Sequence, residues 1–276
     1  MLRVLLTGML LLLLLIVMLP GRTTVTMPKQ NLSELTAQQW TGLFATITGL
    51  PLIQRVAHWA DLAASGTSYV LGPLGEGHGH PPSTGPLYDF AHVDCVTYLE
   101  QVYALALAHS YAEFPSMLQH IRYRDSRIDF RWRNHYTVSD WLPANDWFIH
   151  DVTATMGAGV LHTMAKTISR AQFFAAHKLT QYGDIPDESA STNYIPRDKV
   201  HTILGKLHTG DMVIFVIDTP GIIAGHVGLI RVQHGTVYLQ HAGQLAKTVV
   251  TLPLLDYLKS APKRTVGCKF ARLIEK

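Results

Sequence analysis

The spacing of apolar residues predicts two well-defined helices in the first half of the chain. In residues 52–64, and again in residues 95–110, apolar side chains recur at steps of three and four, which gives a helix one buried face. Asp94 precedes the second stretch and is a favourable N-cap residue. Residues 22–45 are predicted as a polar connector that turns into an earlier helical segment. The periodic positions are Leu52, Ile53, Val56, Ala60 and Ala63 in the first stretch, and Val96, Leu99, Val102, Tyr103, Ala106 and Leu107 in the second.

The pattern changes to that of β-strands after Gly210. Short runs rich in β-branched residues alternate with turn residues at 219–221 and 233–236. Helices followed by an antiparallel sheet predict an α+β fold, with residues 22–276 forming a single domain. The predicted strands are 212–217, 227–232, 237–240 and 268–274.

The middle of the chain has a weaker pattern. Residues 112–205 are richer in Arg, His and Trp, and we interpret them as an insertion on the core, with a helix around residues 159–176. A loop rich in Gly and Pro at residues 72–86 excludes regular structure there.

The N-terminus has the layout of a secretory signal. A single basic residue, Arg3, precedes an almost unbroken apolar run at residues 4–19 that ends at Pro20 and Gly21. The run is marginally short for a spanning helix and no Ala-x-Ala site follows it, so residues 1–21 are either a signal peptide or an uncleaved anchor. We therefore expect an exported, periplasmic protein, soluble or anchored to the inner membrane, with membrane contact through residues 4–19.

Charge and cysteine content exclude two classes of protein. Lys and Arg number 23 against 20 Asp and Glu, a net charge of +3, which is far from the dense basic runs of a nucleic-acid binder. The two cysteines are too few for the disulfide framework of a small secreted scaffold. Cys268 lies in the predicted last strand, where a thiol acts as a small buried hydrophobe.

Cys95 is the candidate nucleophile. It follows the predicted N-cap, and a cysteine in the first turn of a helix is close to the positive end of the helix dipole, which favours the reactive thiolate. The alternative is an ordinary buried helix cysteine. A catalytic role requires a base from elsewhere in the chain.

His226 and His241 are the candidate base and its orienting group. If residues 233–236 form a tight hairpin with His234 and Gly235 at the tip, the numbers of paired residues sum to 469, and Gly228 faces His241. His226 and His241 then lie diagonally on one face of the sheet, close enough for a hydrogen bond between their rings. Such a bond fixes the tautomer of His226 that faces the thiol. The alternative for each residue is an ordinary surface histidine.

These residues carry a family resemblance. Residues 66–72 (GTSYVLG), 94–95 (DC), 225–229 (GHVGL) and 241–242 (HA), in this order, resemble the NlpC-type papain-like cysteine hydrolases. The chain is more closely similar, over about residues 62–273, to the N-acetylmuramoyl-L-alanine amidase-like family within that superfamily. The further motifs are 94–100 (DCVTYLE), 121–125 (IRYRD), 133–136 (RNHY) with Asp140 and Trp141, and 210–213 (GDMV) with Pro220 and Gly221.

The resemblance implies a papain-like α+β fold and a single catalytic domain. It also implies hydrolysis of the amide between N-acetylmuramic acid and L-Ala of peptidoglycan or its fragments, by Cys95, His226 and His241 and without a metal or other cofactor. Tyr69 and Asp94 resemble substrate-groove positions of the superfamily, with core packing and simple capping as their alternatives. The unusual composition of residues 72–86 departs from the family near Tyr69.

A basic and aromatic stretch at residues 122–136 provides further candidates. Arg133, His135 and Tyr136 carry the family match and are predicted to bind stem-peptide carboxylates, whereas most arginines here are expected on a solvated face. Trp132, Tyr136 and Trp141 are predicted as walls for a sugar.

Three other functions remain open at this point. A zinc hydrolase could use His78, His80 and His92, although the first two lie in a flexible loop. A wall-binding module with an inactive site is a second alternative. A γ-D-glutamyl-diamino-acid endopeptidase of the same superfamily is the third, because the same catalytic groups suit both bonds.

Overall fold

The structure is a computed structural model that describes residues 31–275. The signal peptide or anchor predicted for residues 1–21, including the apolar run 4–19, lies outside the described residues. Within the described residues, no helix is both long and apolar enough to cross a membrane.

Helices lead the chain and strands close it, as the sequence pattern predicts. The helices are α1 (Ala37–Ile47), α2 (Leu52–Ala63), α3 (Cys95–Leu107), α4 (Phe114–Arg122), α5 (Leu142–Ala144), α6 (Thr153–Met156), α7 (Arg170–Ala176) and α8 (Leu254–Ser260). The strands are β1 (Ser68–Tyr69), β2 (His92–Val93), β3 (Ile149–Asp151), β4 (His162–Ile168), β5 (Glu188–Pro196), β6 (Met212–Thr219), β7 (Ile222–Gln233), β8 (Thr236–Gly243), β9 (Thr248–Pro253) and β10 (Thr265–Leu273).

The strands of residues 31–275 form one ten-stranded, mostly antiparallel sheet. Its order is β2-β1-β9-β8-β7-β6-β10-β5-β4, with β3 also pairing with β10. Only the short β1–β2 pair is parallel among these described strands. The mixed architecture confirms the α+β prediction.

Helix α3 is the centre of the larger hydrophobic core. It packs against α2, α4 and the strands β7 and β8, and its residues 97–106 are all buried. Val227 and Leu229 of β7 and Ala242 of β8 belong to the same core. A second core lies on the other face of the sheet, where Phe215 and Phe270 meet Leu254 of α8. Burial of so many apolar side chains on both faces fixes the position of α3 and the curvature of the sheet.

The β7–β8 hairpin has the predicted register. Leu229 pairs with Gln240 and Gln233 pairs with Thr236, so the paired numbers sum to 469. His234 and Gly235 both have positive φ, 48° and 78°, which is the geometry of a two-residue type I′ turn. This turn chemistry explains why the register was readable from the sequence.

The strand predicted at residues 227–232 begins five residues earlier than expected, so His226 and the glycine-containing residues before it are not in a loop. Strand β7 already begins at Ile222, and His226 pairs with Phe215 of β6 inside the sheet. The next pair is Val216 with Ala224, so Gly225 is the extra residue of a β-bulge. A Cβ on Gly225 would lie 2.6 Å from Cγ2 of Ile217, so this bulge position requires glycine.

The helix predicted around residues 159–176 is also wrong over its first half. Residues 162–168 form strand β4, which pairs with β5 along its whole length, and a helix is present only at residues 170–176. Pairing with a distant segment therefore overrides the local pattern. Residues 112–205, interpreted as an insertion, supply α4 to the main core and β3, β4 and β5 to the sheet.

A buried ion pair connects α3 to the segments that follow it. Glu100 of α3 accepts hydrogen bonds from Nε of Arg122 at 2.7 Å and from Nε1 of Trp141 at 3.1 Å. Arg122 also donates to the carbonyl of Leu87. Because all three side chains are buried, the carboxylate is the charge that balances the guanidinium away from water.

We expect Glu100→Ala to lower the free energy of unfolding by about 3–5 kcal/mol, because it leaves the Arg122 charge buried without its counterion. Urea denaturation followed by circular dichroism measures the loss. Asp256→Ala is the matched control, since Asp256 forms an exposed ion pair with Lys259 and its removal should cost less than about 1 kcal/mol. Similar losses for the two variants would contradict a stabilising role for the Glu100 network.

Candidate active site

Cys95 lies at the first residue of α3, where the chain enters the helix. The Asp94 carboxylate caps this end by accepting hydrogen bonds from the backbone N–H of Val96 at 3.1 Å and of Thr97 at 2.9 Å. The Thr97 hydroxyl in turn accepts a hydrogen bond from the Asp94 N–H at 2.9 Å, completing a capping box. Cys95 is partly exposed and packs against the main core. The cap thus fixes the position of the Cys95 sulfur at the start of the helix.

The surroundings of the sulfur favour the neutral thiol. Desolvation, followed by the negative charge of Asp94, raises the pKa of Cys95 to about 12. The backbone N–H groups of Val227, Val96 and Cys95 itself approach the sulfur and act in the opposite direction. The expected effect of the helix dipole on the thiolate is therefore outweighed by desolvation in the free protein.

His226 and His241 are joined directly. Nε2 of His226 lies 2.8 Å from Nδ1 of His241, and the rings meet edge to face at 4.8 Å between centroids. Both imidazoles pack against the Tyr257 ring, and His226 also stacks on Phe215. Among the described residues, no hydrogen bond engages Nδ1 of His226. The diagonal arrangement predicted from the hairpin is thus present.

Both histidines are neutral at physiological pH. Desolvation, followed by the proximity of His241, lowers the pKa of His226 to about 3. Desolvation also lowers the pKa of His241 to about 4, against a hydrogen bond with the backbone of Ala242. A neutral His226 has a lone pair with which to accept a proton, but the desolvation that lowers its pKa also makes it a weaker base in the free protein.

The backbone of β7, the strand that carries His226, lies next to Cys95. The N–H of Val227, which directly follows His226, lies against the Cys95 sulfur. Tyr69 is close enough to Cys95 and Asp94 that, after desolvation, their negative charges contribute to raising its pKa. Asp94 also accepts a hydrogen bond from the Gly72 N–H at 3.2 Å. Tyr69, Asp94 and Cys95 therefore lie together, and Cys95 lies beside the strand that carries His226.

Arg133 does not join this group. Its Nε donates to Oε1 of Glu76 at 2.8 Å, and its terminal nitrogen reaches the carbonyl of Leu74. Glu76 is buried, and desolvation raises its pKa despite the opposing charge of Arg133. In this structure the Arg133 guanidinium holds the 72–86 loop, and its role in binding stem-peptide carboxylates stays a prediction.

Trp141 is also not a wall of an open groove. It is 1% exposed and donates its indole N–H to Glu100, as described above. Trp132 lies among Arg124, Arg127 and Arg131, with the Arg127 guanidinium 4.3 Å from its ring centroid. The spacing of these aromatic residues in the sequence could not distinguish a core side chain from a surface one.

His135 and Tyr136 line a cavity of about 580 Å³ beside the histidine strand. Its walls come from Asp187 and from three segments: residues 135–139, residues 167–169 with 172–173, and residues 220–224 at the β6–β7 turn and the start of β7. The third segment belongs to the strand that carries His226. Sequence reasoning missed the second segment, since it was assigned to a continuous helix, and no motif indicated Tyr257 beside the histidines.

Of the histidines considered for zinc, His92 lies on β2 and is engaged by Asp89. His92 Nδ1 lies 2.8 Å from Oδ2 of Asp89. Within residues 31–275, no cluster of three or more His, Cys, Asp or Glu side chains has the arrangement of a metal site.

The sequence matches the model of one protein family, and solved structures are similar in fold. The sequence profile of a family described as N-acetylmuramoyl-L-alanine amidase-like matches residues 62–266. The crystal structure of an N-acetylmuramoyl-L-alanine amidase from Bacteroides uniformis ATCC 8492 is similar, with a TM-score of 0.66 and 25% identity, covering 82% of this chain and 99% of that one.

A second crystal structure supports the fold. A Legionella pneumophila protein assigned to the DUF1460 family superposes with a TM-score of 0.79 at 21% identity, covering 87% of this chain and 95% of that one. None of the curated proteins matches the sequence significantly.

We expect the alkylation of Cys95 by iodoacetamide to accelerate about tenfold per pH unit between pH 6 and 10. The reason is that a thiol whose pKa is raised stays protonated through neutral pH, so its reactive thiolate grows with each unit. Mass spectrometry at fixed times measures the rate. Cys95→Ala is the control, because it retains only Cys268, which is fully buried. A rate independent of pH between 5 and 8 would instead indicate a thiolate–imidazolium pair.

Proposed function

This chain belongs to the N-acetylmuramoyl-L-alanine amidase-like family, and we propose on that basis that it hydrolyses the amide between N-acetylmuramic acid and L-Ala. The substrate is peptidoglycan or muropeptides released from it. Cys95 is the nucleophile, His226 the base and leaving-group acid, and His241 the group that orients His226, in an NlpC-type papain-like arrangement. The observation that supports this most is the 2.8 Å distance between Nε2 of His226 and Nδ1 of His241. His226 is followed on β7 by Val227, whose backbone N–H approaches the Cys95 sulfur.

The first half of the proposed reaction forms a thioester. Nδ1 of His226 accepts the thiol proton as the Cys95 sulfur attacks the lactoyl carbonyl, and the carbonyl electron pair moves to oxygen. The backbone N–H of Cys95, at the start of α3, helps to stabilise the oxyanion, because those of Val96 and Thr97 are engaged by Asp94. The intermediate collapses, the C–N bond breaks, and the L-Ala nitrogen receives the proton from His226.

The second half releases the acid. Nδ1 of His226 takes a proton from water as the oxygen attacks the thioester, and the sulfur leaves with that proton restored to it. The lactoyl group is released as a carboxylic acid. No metal or other cofactor is part of this proposal.

His241 sets the tautomer that this sequence of steps needs. Nδ1 of His226 accepts a proton only if Nε2 carries the hydrogen, and that N–H donates to Nδ1 of His241. Both rings are held by Tyr257, so the donor direction is fixed before substrate binds. Because both histidines are neutral in the free protein, His226 is positively charged only while it holds the transferred proton.

We propose that residues 22–276 are a single catalytic domain with an insertion around residues 112–205, and that Tyr69 and Asp94 lie along the substrate groove. Tyr69 is close to both Cys95 and Asp94, which supports this placement. We further propose that the protein is exported to the periplasm by residues 1–21, as a soluble enzyme or one anchored through residues 4–19.

We expect digestion of muropeptides to release a stem peptide whose new N-terminus is L-Ala, leaving muramic acid with a free lactoyl carboxylate. Amine labelling followed by mass spectrometry identifies the new terminus. A newly formed diamino-acid amine with the muramoyl linkage intact would support the endopeptidase alternative and contradict this proposal. Cys95→Ala should give no product, and a chelator should leave the wild-type rate intact; restoration by zinc of activity lost in chelator would contradict a cysteine mechanism.

We expect His226→Ala to cost on the order of 10–100 times more activity than His241→Ala, because a proton carrier is harder to replace than the group that orients it. The comparison is of kcat/KM on one muropeptide. His241→Asn is the matched control, since its side-chain oxygen lies near the position of Nδ1 and accepts the same hydrogen bond, so it should recover part of the loss. Equal losses for His226→Ala and His241→Ala would show that the roles are misassigned.

A further inference from the structure

The 580 Å³ cavity has the position of a subsite rather than of a distant pocket. Its walls include Ile222 and Ala224, which lie on β7 just before His226. Ala224 and Val138, another wall residue, pack against the same core as Cys95. At about 3.3 Å per strand residue, Ala224 lies within about 7 Å of His226 along the backbone. The cavity therefore adjoins the part of β7 that carries His226.

The lining of the cavity is polar and aromatic but carries little charge. Tyr136 and Phe173 provide ring faces, with 5.7 Å between their centroids. Ser139, Ser169 and Gln172 provide hydroxyl and amide groups. Rings that cover apolar faces, together with neutral donors and acceptors around them, suit a ligand that is polar and uncharged.

No lysine or arginine is among the described residues that line the cavity. Asp187 provides a negative charge, and His135 is neutral, because desolvation lowers its pKa to about 3. An anionic ligand would gain nothing from such walls and would be repelled by Asp187.

Four arginines line a neighbouring pocket that shares His135, Tyr136 and Phe173 with the cavity, and two of them, Arg133 and Arg170, are engaged by carboxylates. Arg170 lies under the Tyr136 ring, but its guanidinium makes two hydrogen bonds to Asp140, at 2.9 and 2.6 Å, and reaches Glu188 at 2.7 Å. Arg133 is engaged by Glu76, as described above. Both positive charges are therefore balanced by carboxylates rather than presented to a ligand.

The two halves of the proposed substrate also differ in charge. On the acyl side, the lactoyl group is part of the scissile amide, so the N-acetyl sugar carries no charge. On the amine side, the stem peptide beyond L-Ala carries free carboxylates. The cavity therefore matches the sugar half and not the peptide half.

We propose that this cavity binds the neutral N-acetyl sugar on the acyl side of the scissile bond, with Phe173 and Tyr136 against the sugar ring and Gln172 and Ser169 hydrogen-bonding to it. The assignment rests on the proposed function. The volume lies within the roughly 300–1,000 Å³ of pockets that enclose small ligands. The predicted use of His135 and Tyr136 for stem-peptide carboxylates is thereby replaced.

Two substrates with the same scissile amide test the proposal. One is N-acetylmuramoyl-L-Ala-γ-D-Glu, and the other is D-lactoyl-L-Ala-γ-D-Glu, which lacks the sugar. We expect Phe173→Ala and Gln172→Ala to lower the ratio of kcat/KM for the first substrate over the second by roughly fivefold to tenfold, because the lost contacts are made only with the sugar.

The variants are chosen so that misfolding does not decide the result. Phe173 packs against Phe130 and His135, whereas Gln172 is exposed and its truncation leaves the core intact. Gln233→Ala is the matched control, since Gln233 is an exposed residue at the far end of β7 and should keep the wild-type ratio. An unchanged ratio in both cavity variants, or equal loss on both substrates, would overturn the assignment.

A direct binding measurement separates this proposal from the proposed activity. Saturation-transfer NMR with the methyl glycoside of N-acetylglucosamine at millimolar concentration reports sugar binding without any reaction. We expect a signal with the wild type and Gln233→Ala, and a weaker one with Gln172→Ala. If the wild type cleaves neither substrate but binds the glycoside in this way, the amidase proposal fails and the sugar site stands; if it cleaves the amide but binds no glycoside, the sugar site fails alone.

Discussion

The packing of helix α3 against strands β7 and β8 is the constraint on which the rest of the site depends. Val102, Tyr103, Ala104, Leu105 and Ala106 have no exposed surface, so the helix cannot slide or rotate without opening the core. Cys95 is the first residue of that helix and Val227 lies on the strand beneath it. A thiol and an imidazole that are more than a hundred residues apart in sequence are thereby held on adjoining elements.

A second constraint acts within the sheet, where the hairpin register decides which side chains share a face. His226 and His241 meet because Gly228, which lies between them on that face, has no side chain. A Cβ on Gly228 would lie 2.3 Å from Cδ1 of Leu239 and 3.2 Å from Cβ of His241. The bulge at Gly225 then ends the regular pairing immediately before His226, which is a common device for directing a side chain at a site. The histidine pair therefore depends on Gly225 and Gly228 as well as on the turn.

Desolvation dominates the electrostatics of this arrangement. It raises the pKa of the Cys95 thiol and lowers the pKa values of both histidines, so the free protein holds neutral groups where charge would be costly. The same principle applies in the neighbouring cavity, where arginine charges are closed off by Asp140, Glu188 and Glu76. These arginine charges thus hold segments together as ion pairs, and no lysine or arginine is among the described residues that line the cavity.

The sequence by itself determined the features that depend on local chemistry: the helix that begins at Cys95 after its Asp94 cap, the type I′ turn at His234 and Gly235, and through that turn the register that pairs His226 with His241. The helix start and the turn are set by residues within a few positions of one another. The register follows from the turn, because a two-residue turn fixes which residues of the two strands pair and which side chains share a face. Tertiary structure decided the rest. Residues 162–168 became a strand because β5 was available to pair with them, Arg133 and Trp141 were drawn to buried carboxylates, and the cavity formed where residues 135–139, 167–173 and 220–224 meet. Those outcomes depend on partners far away in the chain, whose identity is fixed only when the competing contacts are made together in three dimensions.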